Sequence, residues 1–148
     1  MKNCIAPAAA FAAMLALPVV ASAEDAARSY DNGPVWQIAY IQTKPGHFDD
    51  YMKFVSTTWK AEQEAGKAKG WVLDYKVLAP QDPRDGEADL ILMIEYKNMA
   101  VLDVPLDDVE AVDKKLFGSM TASNKAYADR ETIRTEKGVN LTRELTLK

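Results

Sequence analysis

The stretch Gln42 to Phe54, QTKPGHFDDYMKF, decides how the chain is read. The run leading into it, Val35 to Thr43 (VWQIAYIQT), is β-branched and aromatic and of strand length. The Pro45-Gly46 pair punctuates the chain and ends that strand. Beyond the pair the apolar spacing changes to three and four: Phe48, Tyr51, Met52, Val55 and Trp59 form one stripe, and Glu62 continues the same series as its polar member. Asp49 and Asp50 fall in the first turn, where the helix dipole favours negative charge. Gly66 and Gly70 offer stops to a helix that reaches about Lys67. The stretch also holds the only histidine of the chain. His47 beside two carboxylates has the parts of a general base or of a metal site. A helix entry accounts for all three residues, so no catalytic role is assigned to it and no metal site is expected.

Downstream, Trp71 to Pro80 (WVLDYKVLAP) reads as a second strand and Leu90 to Lys97 (LILMIEYK) as a third, joined across the Asp-, Pro- and Gly-rich loop QDPRDGEAD as a wide hairpin. NMAVLDVP is a linking turn. A helical region from Leu106 to Lys137 follows, with Val109, Val112, Leu116, Met120, Tyr127 and Ile133 on its inner face, Pro105 at its start and Gly118 as a point of kinking or division. Gly138 closes it, and VNLTRELTLK alternates strictly as a fourth strand. The order β-α-β-β-α-β predicts an α+β, ferredoxin-like domain: a four-stranded antiparallel sheet with two helices on one face.

Upstream, Lys2, the apolar run APAAAFAAMLALPVV and the small residues Ala21 and Ala23 have the order of a cleavable signal peptide over residues 1–23. The run is shorter than the ~20 apolar residues of a spanning helix. Cleavage would leave a polar leader at 24–34 and a single domain at 35–148, in the periplasm or outside the cell, with no membrane anchor. Cys4 would leave with the signal, so the mature chain would have no thiol chemistry and no thiolate metal site. The net charge of −4, which the loss of Lys2 takes to −5, argues against nucleic acid as a partner.

Strand alternation assigns two faces to the sheet. Trp36, Ile38 and Tyr40, then Leu73, Tyr75 and Val77, then Leu90, Leu92, Ile94 and Tyr96, then Leu141, Leu145 and Leu147 are the bulky apolar sets, expected under the helices with Arg143 as an exception among them. The other sets mix aliphatic and polar residues: Val35, Gln37, Ala39 and Ile41; Val72, Asp74, Lys76 and Leu78; Ile91, Met93 and Glu95; Asn140, Thr142 and Glu144. A half-apolar face suits a sheet packed on a second copy of itself around a cavity. Gln37, Asp74, Lys76, Glu95 and Arg143 are the expected ligand-binding residues. Trp36, Tyr40, Trp59, Trp71 and Tyr75 are read as core aromatics.

The segment TKPGHFDDYMKF after a strand resembles the start of the first helix in the dimeric α/β-barrel superfamily, which includes antibiotic-biosynthesis-type monooxygenases, NIPSNAP-like proteins and EthD-like proteins. IEYKNMAVLDVPLDD, residues 94–108, resembles the passage from strand three to helix two of the same group. The likeness spans residues 35–148. It implies a homodimer whose sheets form a barrel with pockets for small molecules. The activities it implies range from none known to cofactor-independent oxidation of aromatics and haem chemistry. The haem-degrading branch uses a histidine on the second helix, and this chain has none there, so no cofactor is expected. The resulting expectation is an exported homodimer that binds a small, partly apolar molecule. The alternative is a cofactor-independent, monooxygenase-like enzyme acting on an aromatic substrate.

Overall fold

The computed structural model describes residues 27–148; the signal peptide expected at 1–23 lies outside them. The chain runs β1 (Tyr30–Thr43), α1 (Phe48–Phe54), a π-helical turn (Val55–Trp59), α2 (Lys60–Ala68), β2 (Asp74–Leu78), β3 (Leu90–Tyr96), a 3-10 turn (Met99–Asp103), α3 (Leu106–Phe117), α4 (Met120–Arg130) and β4 (Arg134–Leu147). The sheet order is β2-β3-β1-β4, and every neighbouring pair is antiparallel. This is the ferredoxin-like α+β arrangement that the element order predicts.

The helix entry forms as expected. His47 precedes α1, and its Nδ1 lies 2.8 Å from Asp50 Oδ2 at an exposed site. The contact stays within the first turn of the helix. The apolar stripe then faces the sheet: Tyr51, Val55 and Trp59 are buried against Ile41, Leu90 and Leu92. Between α1 and α2 the β-branched run VSTTW widens to a π turn. Thr57 Oγ1 donates to the Lys53 carbonyl at 2.7 Å there, competing with the backbone ladder.

Gly118 (φ 83°) divides the second helical region, and Ser119 caps α4 by accepting from the Ala122 amide at 3.1 Å. The helix ends at Arg130 rather than near Lys137, and β4 begins at Arg134 rather than Val139. Gly138 is therefore not a helix stop. It sits at an irregularity where β4 carries one residue more than β1, between the pairs Tyr40–Gly138 and Ile41–Glu136. At its other end β1 starts at Tyr30, so residues 30–34 of the expected leader are strand.

One face assignment is corrected. β1 presents Val35, Gln37, Ala39 and Ile41 to the helices, in register with Tyr96, Ile94, Leu92 and Leu90. Trp36, Ile38 and Tyr40 lie on the opposite, outer face, in register with Glu95, Met93 and Ile91. Both sets of β1 are apolar enough to be buried, so bulk alone does not choose between them. The helices bring their own bulk in Tyr51 and Trp59, and the smaller β1 set with Ala39 at its centre leaves room for it. β2 and β3 face as expected: Tyr75 packs edge-on against Trp59 with ring centroids 5.4 Å apart.

Candidate functional site

The corrected face of β1 separates the expected binding residues. Asp74, Lys76 and Glu95 stay together on the outer face. Asp74 pairs there with Lys67 Nζ at 3.7 Å, and Lys76 Nζ stands 4.8 Å over the Trp36 ring rather than pairing with Asp74. Gln37 leaves this group. Its Oε1 accepts from the Tyr96 hydroxyl at 3.2 Å on the helix side of the sheet. Arg143 also belongs to the helix-side row, opposite Val35, but is exposed.

Gln37 instead lines a cavity of about 270 Å³ between the helix face of the sheet and the helices. Ala39, Leu92 and Ile94 form its apolar floor, and Trp59 closes one wall. Its polar lining comes from places that strand alternation does not reach: Glu62 and Gln63 on α2, Tyr127 and Arg130 on α4, and Arg134 and Glu136 at the start of β4. Sequence reasoning missed this set, although two of its members carried a signal. Glu62 continues the apolar stripe of the first helix, and Arg130 lies three residues from both Tyr127 and Ile133 on the inner face of the last.

The two arginines differ in how their charge is met. Arg134 is 8 % exposed and is held by Glu131 at 3.0 Å and Glu136 at 3.1 Å. Arg130 is 9 % exposed and has no carboxylate within 4.0 Å among the described residues. Its guanidinium carbon lies 4.0 Å from the Tyr127 ring centroid and 4.4 Å from that of Phe54. Its buried Nε, like that of Arg134, has no hydrogen-bond partner among the described residues. Such ring contacts stabilise a cation modestly and do not satisfy the Nε donor. A buried, unpaired guanidinium is costly in a molecule with nothing bound beside it.

Glu62 lines the same cavity as Arg130 and feels its charge. Its buried Oε1 has no partner either. Burial raises its pKa, Asp113 adds to the effect, and Arg130 and the Tyr127 hydroxyl oppose it. Burial likewise raises Tyr51, which Arg134 and Arg130 pull back, and Tyr127, where nearby Glu62 adds to the rise. The cavity thus joins an uncompensated cation, a carboxyl biased towards its neutral form, phenol hydroxyls and an apolar floor. Among the described residues, no group of three or more His, Cys, Asp and Glu side chains is placed to hold a metal ion.

No protein-family model matches the chain, and no curated protein is detectably similar to it. Solved structures do resemble it. HapK from Hahella chejuensis superposes with a TM-score of 0.51 at 11 % identity, over 74 % of this chain and 91 % of its own. Protein SO0527 from Shewanella oneidensis does so with a TM-score of 0.52 at 10 % identity, over 79 % and 96 %. A Bacteroides fragilis protein described as dimeric, ferredoxin-like and of unknown function reaches 0.40 at 14 % identity, over 76 % and 95 %, too slight a likeness to argue from. At such identities the similarity is one of fold, and function is argued from the site.

Proposed function

We propose that this protein is an exported homodimer that binds a small, partly apolar molecule in the cavity between its sheet and its helices. The observation that carries the reading is Arg130: a nine-tenths buried guanidinium with an unpartnered Nε, lining a cavity with an aliphatic floor. Convergent polar groups over an apolar surface are the usual anatomy of a small-molecule site. Export is supported by the order of Lys2, the apolar run and Ala21-Ser22-Ala23. The homodimer is supported by the outer face of the sheet, where Trp36, Ile38, Tyr40, Ile91 and Met93 lie half-buried with no layer of the described residues over them.

Native mass spectrometry of protein taken from the periplasm tests assembly and occupancy together. A dimer carrying a small-molecule adduct is expected, with the adduct lost in Ala39→Phe, which fills the cavity floor. A monomer would remove the assembly from the reading. An adduct that Ala39→Phe leaves in place would remove the cavity.

A second reading, a cofactor-independent oxygenase acting on a hydroxylated aromatic, is favoured by Glu62. A carboxyl whose pKa is raised by burial is matched to proton abstraction nearer neutral pH, and Arg130 would stabilise the phenolate formed. Oxygen uptake with a hydroxylated polycyclic aromatic, abolished by Glu62→Gln, is the expected result for that reading. Its absence in the wild type returns the protein to binding alone.

A further inference from the structure

A second cavity, of about 190 Å³, adjoins the first and shares Glu62, Gln63 and Tyr127 with it. Its far side is apolar, with Val101, Val104, Val109 and Val112 contributed by the 3-10 turn, its connection to α3, and α3 itself. The pair of cavities is therefore graded: cationic at Arg130, polar at the shared wall, aliphatic beyond it.

The charge at the head of this gradient is a single one. Arg134 is already met by two carboxylates, whereas Arg130, the other arginine of the lining, has none within 4.0 Å among the described residues. Glu62, Asp113 and Glu136 line the same two spaces and would oppose a doubly charged group. Rings pack against Arg130 from Tyr127 and Phe54, and stacking against a guanidinium leaves its in-plane N–H edge open. A planar, two-oxygen monoanion fits that edge, accepting two parallel hydrogen bonds. Glu62 lines the same cavity and in its neutral form has an O–H to donate to the same anion.

We propose that the ligand is an amphiphilic monocarboxylate, its head group held by Arg130 with Glu62 beside it and its apolar body extending past Tyr127 into the valine-lined cavity. This rests on the reading that the cavity binds a small molecule, and the test separates the two.

Isothermal titration of the purified protein would use two matched pairs of probes: octanoate with octanamide, and 2-naphthoate with 2-naphthamide. The expected result is that at least one acid binds about tenfold or more tighter than its amide, as a charge-assisted two-pronged contact requires. Arg130→Gln is expected to abolish the preference of that acid over its amide. Val112→Asp is expected to weaken both members of the pair. Should Arg130→Gln fail to fold, Arg130→Lys carries the test: it keeps the charge, loses the planar fork, and is expected to lose most of the preference. Equal binding of acid and amide by the wild type, or a preference intact in Arg130→Lys, would overturn the carboxylate head group while leaving a small-molecule site. No binding by either pair would overturn both.

Discussion

A carboxyl carried into a protein interior either finds donors or keeps its proton. Glu62 has one oxygen with no partner, and burial raises its pKa. The consequence for stability has a definite sign. Below the ordinary carboxylate range Glu62 is protonated in both the folded and unfolded chain and contributes no pH dependence. As pH rises from there to the raised folded pKa, the unfolded chain releases the proton while the folded chain retains it, so the fold loses stability. Above the folded pKa the loss is complete and constant. Urea denaturation of Glu62→Gln beside the wild type should show the variant gaining relative stability across that window, by at most about 1.4 kcal/mol per pH unit, and a constant difference above it. Parallel curves from acid to neutral pH would mean that Glu62 is solvated. The sequence placed Glu62 on the apolar stripe but could not say that its Oε1 is buried. A polar residue at the end of a stripe is ordinarily solvated, and what encloses Glu62 is α4, some sixty residues further on. Arg130 was hidden for a related reason: Tyr127 is its neighbour on α4, but Phe54, the second ring against its guanidinium, is adjacent only in space.

Whole elements are positioned by small residues as much as by large ones. Gly66 on α2 is buried, and a Cβ there would lie 2.7 Å from Val72 Cγ2. Read locally, Gly66 is a helix stop. In the fold it marks the place where α2 comes up against the chain leading to β2, and Trp71 and Val72 both donate their amides back to its carbonyl, at 3.0 and 3.3 Å. Gly66→Ala should therefore destabilise, although alanine is the better helix former. Overpacking costs about 1–3 kcal/mol, against the ~1 kcal/mol gained in propensity. Val72 is β-branched, buried and stiff, so it cannot swing away cheaply. Adding Val72→Ala should recover part of the loss, and a double-mutant cycle from chemical denaturation measures the coupling. Strict additivity would show that the two residues do not meet. The same scale explains how much of the sheet was legible. Periodicity of two gave four strands in the right order, but alternation is counted from a starting face. β1 has two apolar faces, and both β1 and β4 contain register shifts, between Asn32 and Val35 and between Tyr40 and Ile41. The shifts reset the count between β1 and β4, whereas Gln37 lies in the regular stretch paired with β3; it was grouped with Asp74, Lys76 and Glu95 because bulk alone does not choose between the two faces of β1.

The molecule as a whole has two surface features that a second copy would complete. β3 pairs with β1 only over Val35–Ile41, so the segment from Tyr30 to Asn32 runs beside Leu145–Leu147 as a two-stranded ribbon. Leu145 and Leu147 are 50 % and 81 % exposed. A two-stranded ribbon is marginal on its own in water. The second feature is the outer sheet face, where Ile38 lies between Met93 and Asn140, flanked by Trp36 and Tyr40. Lys76 covers Trp36, and the Trp36 indole N–H donates to Glu144 at 2.9 Å, so this face has a polar margin around an apolar centre. A two-fold axis through that centre would set each patch against its own copy, burying the aliphatics and leaving Asp74 and Glu95 nearer the rim. Ile38→Asp should then dissociate the dimer, because it buries a pair of like charges near the axis. A weakening of about a hundredfold or more in the dimer dissociation constant is expected, read by analytical ultracentrifugation, with the circular dichroism spectrum retained. Leu106→Asp, at a more exposed apolar site on α3, should leave the assembly intact. A dimer also ties thermal stability to concentration: the wild-type Tm should rise with protein concentration, and that of Ile38→Asp should not. A wild-type Tm independent of concentration, together with a monomer mass, would assign the outer face to solvent and leave the helix-side cavity as a site complete within one copy.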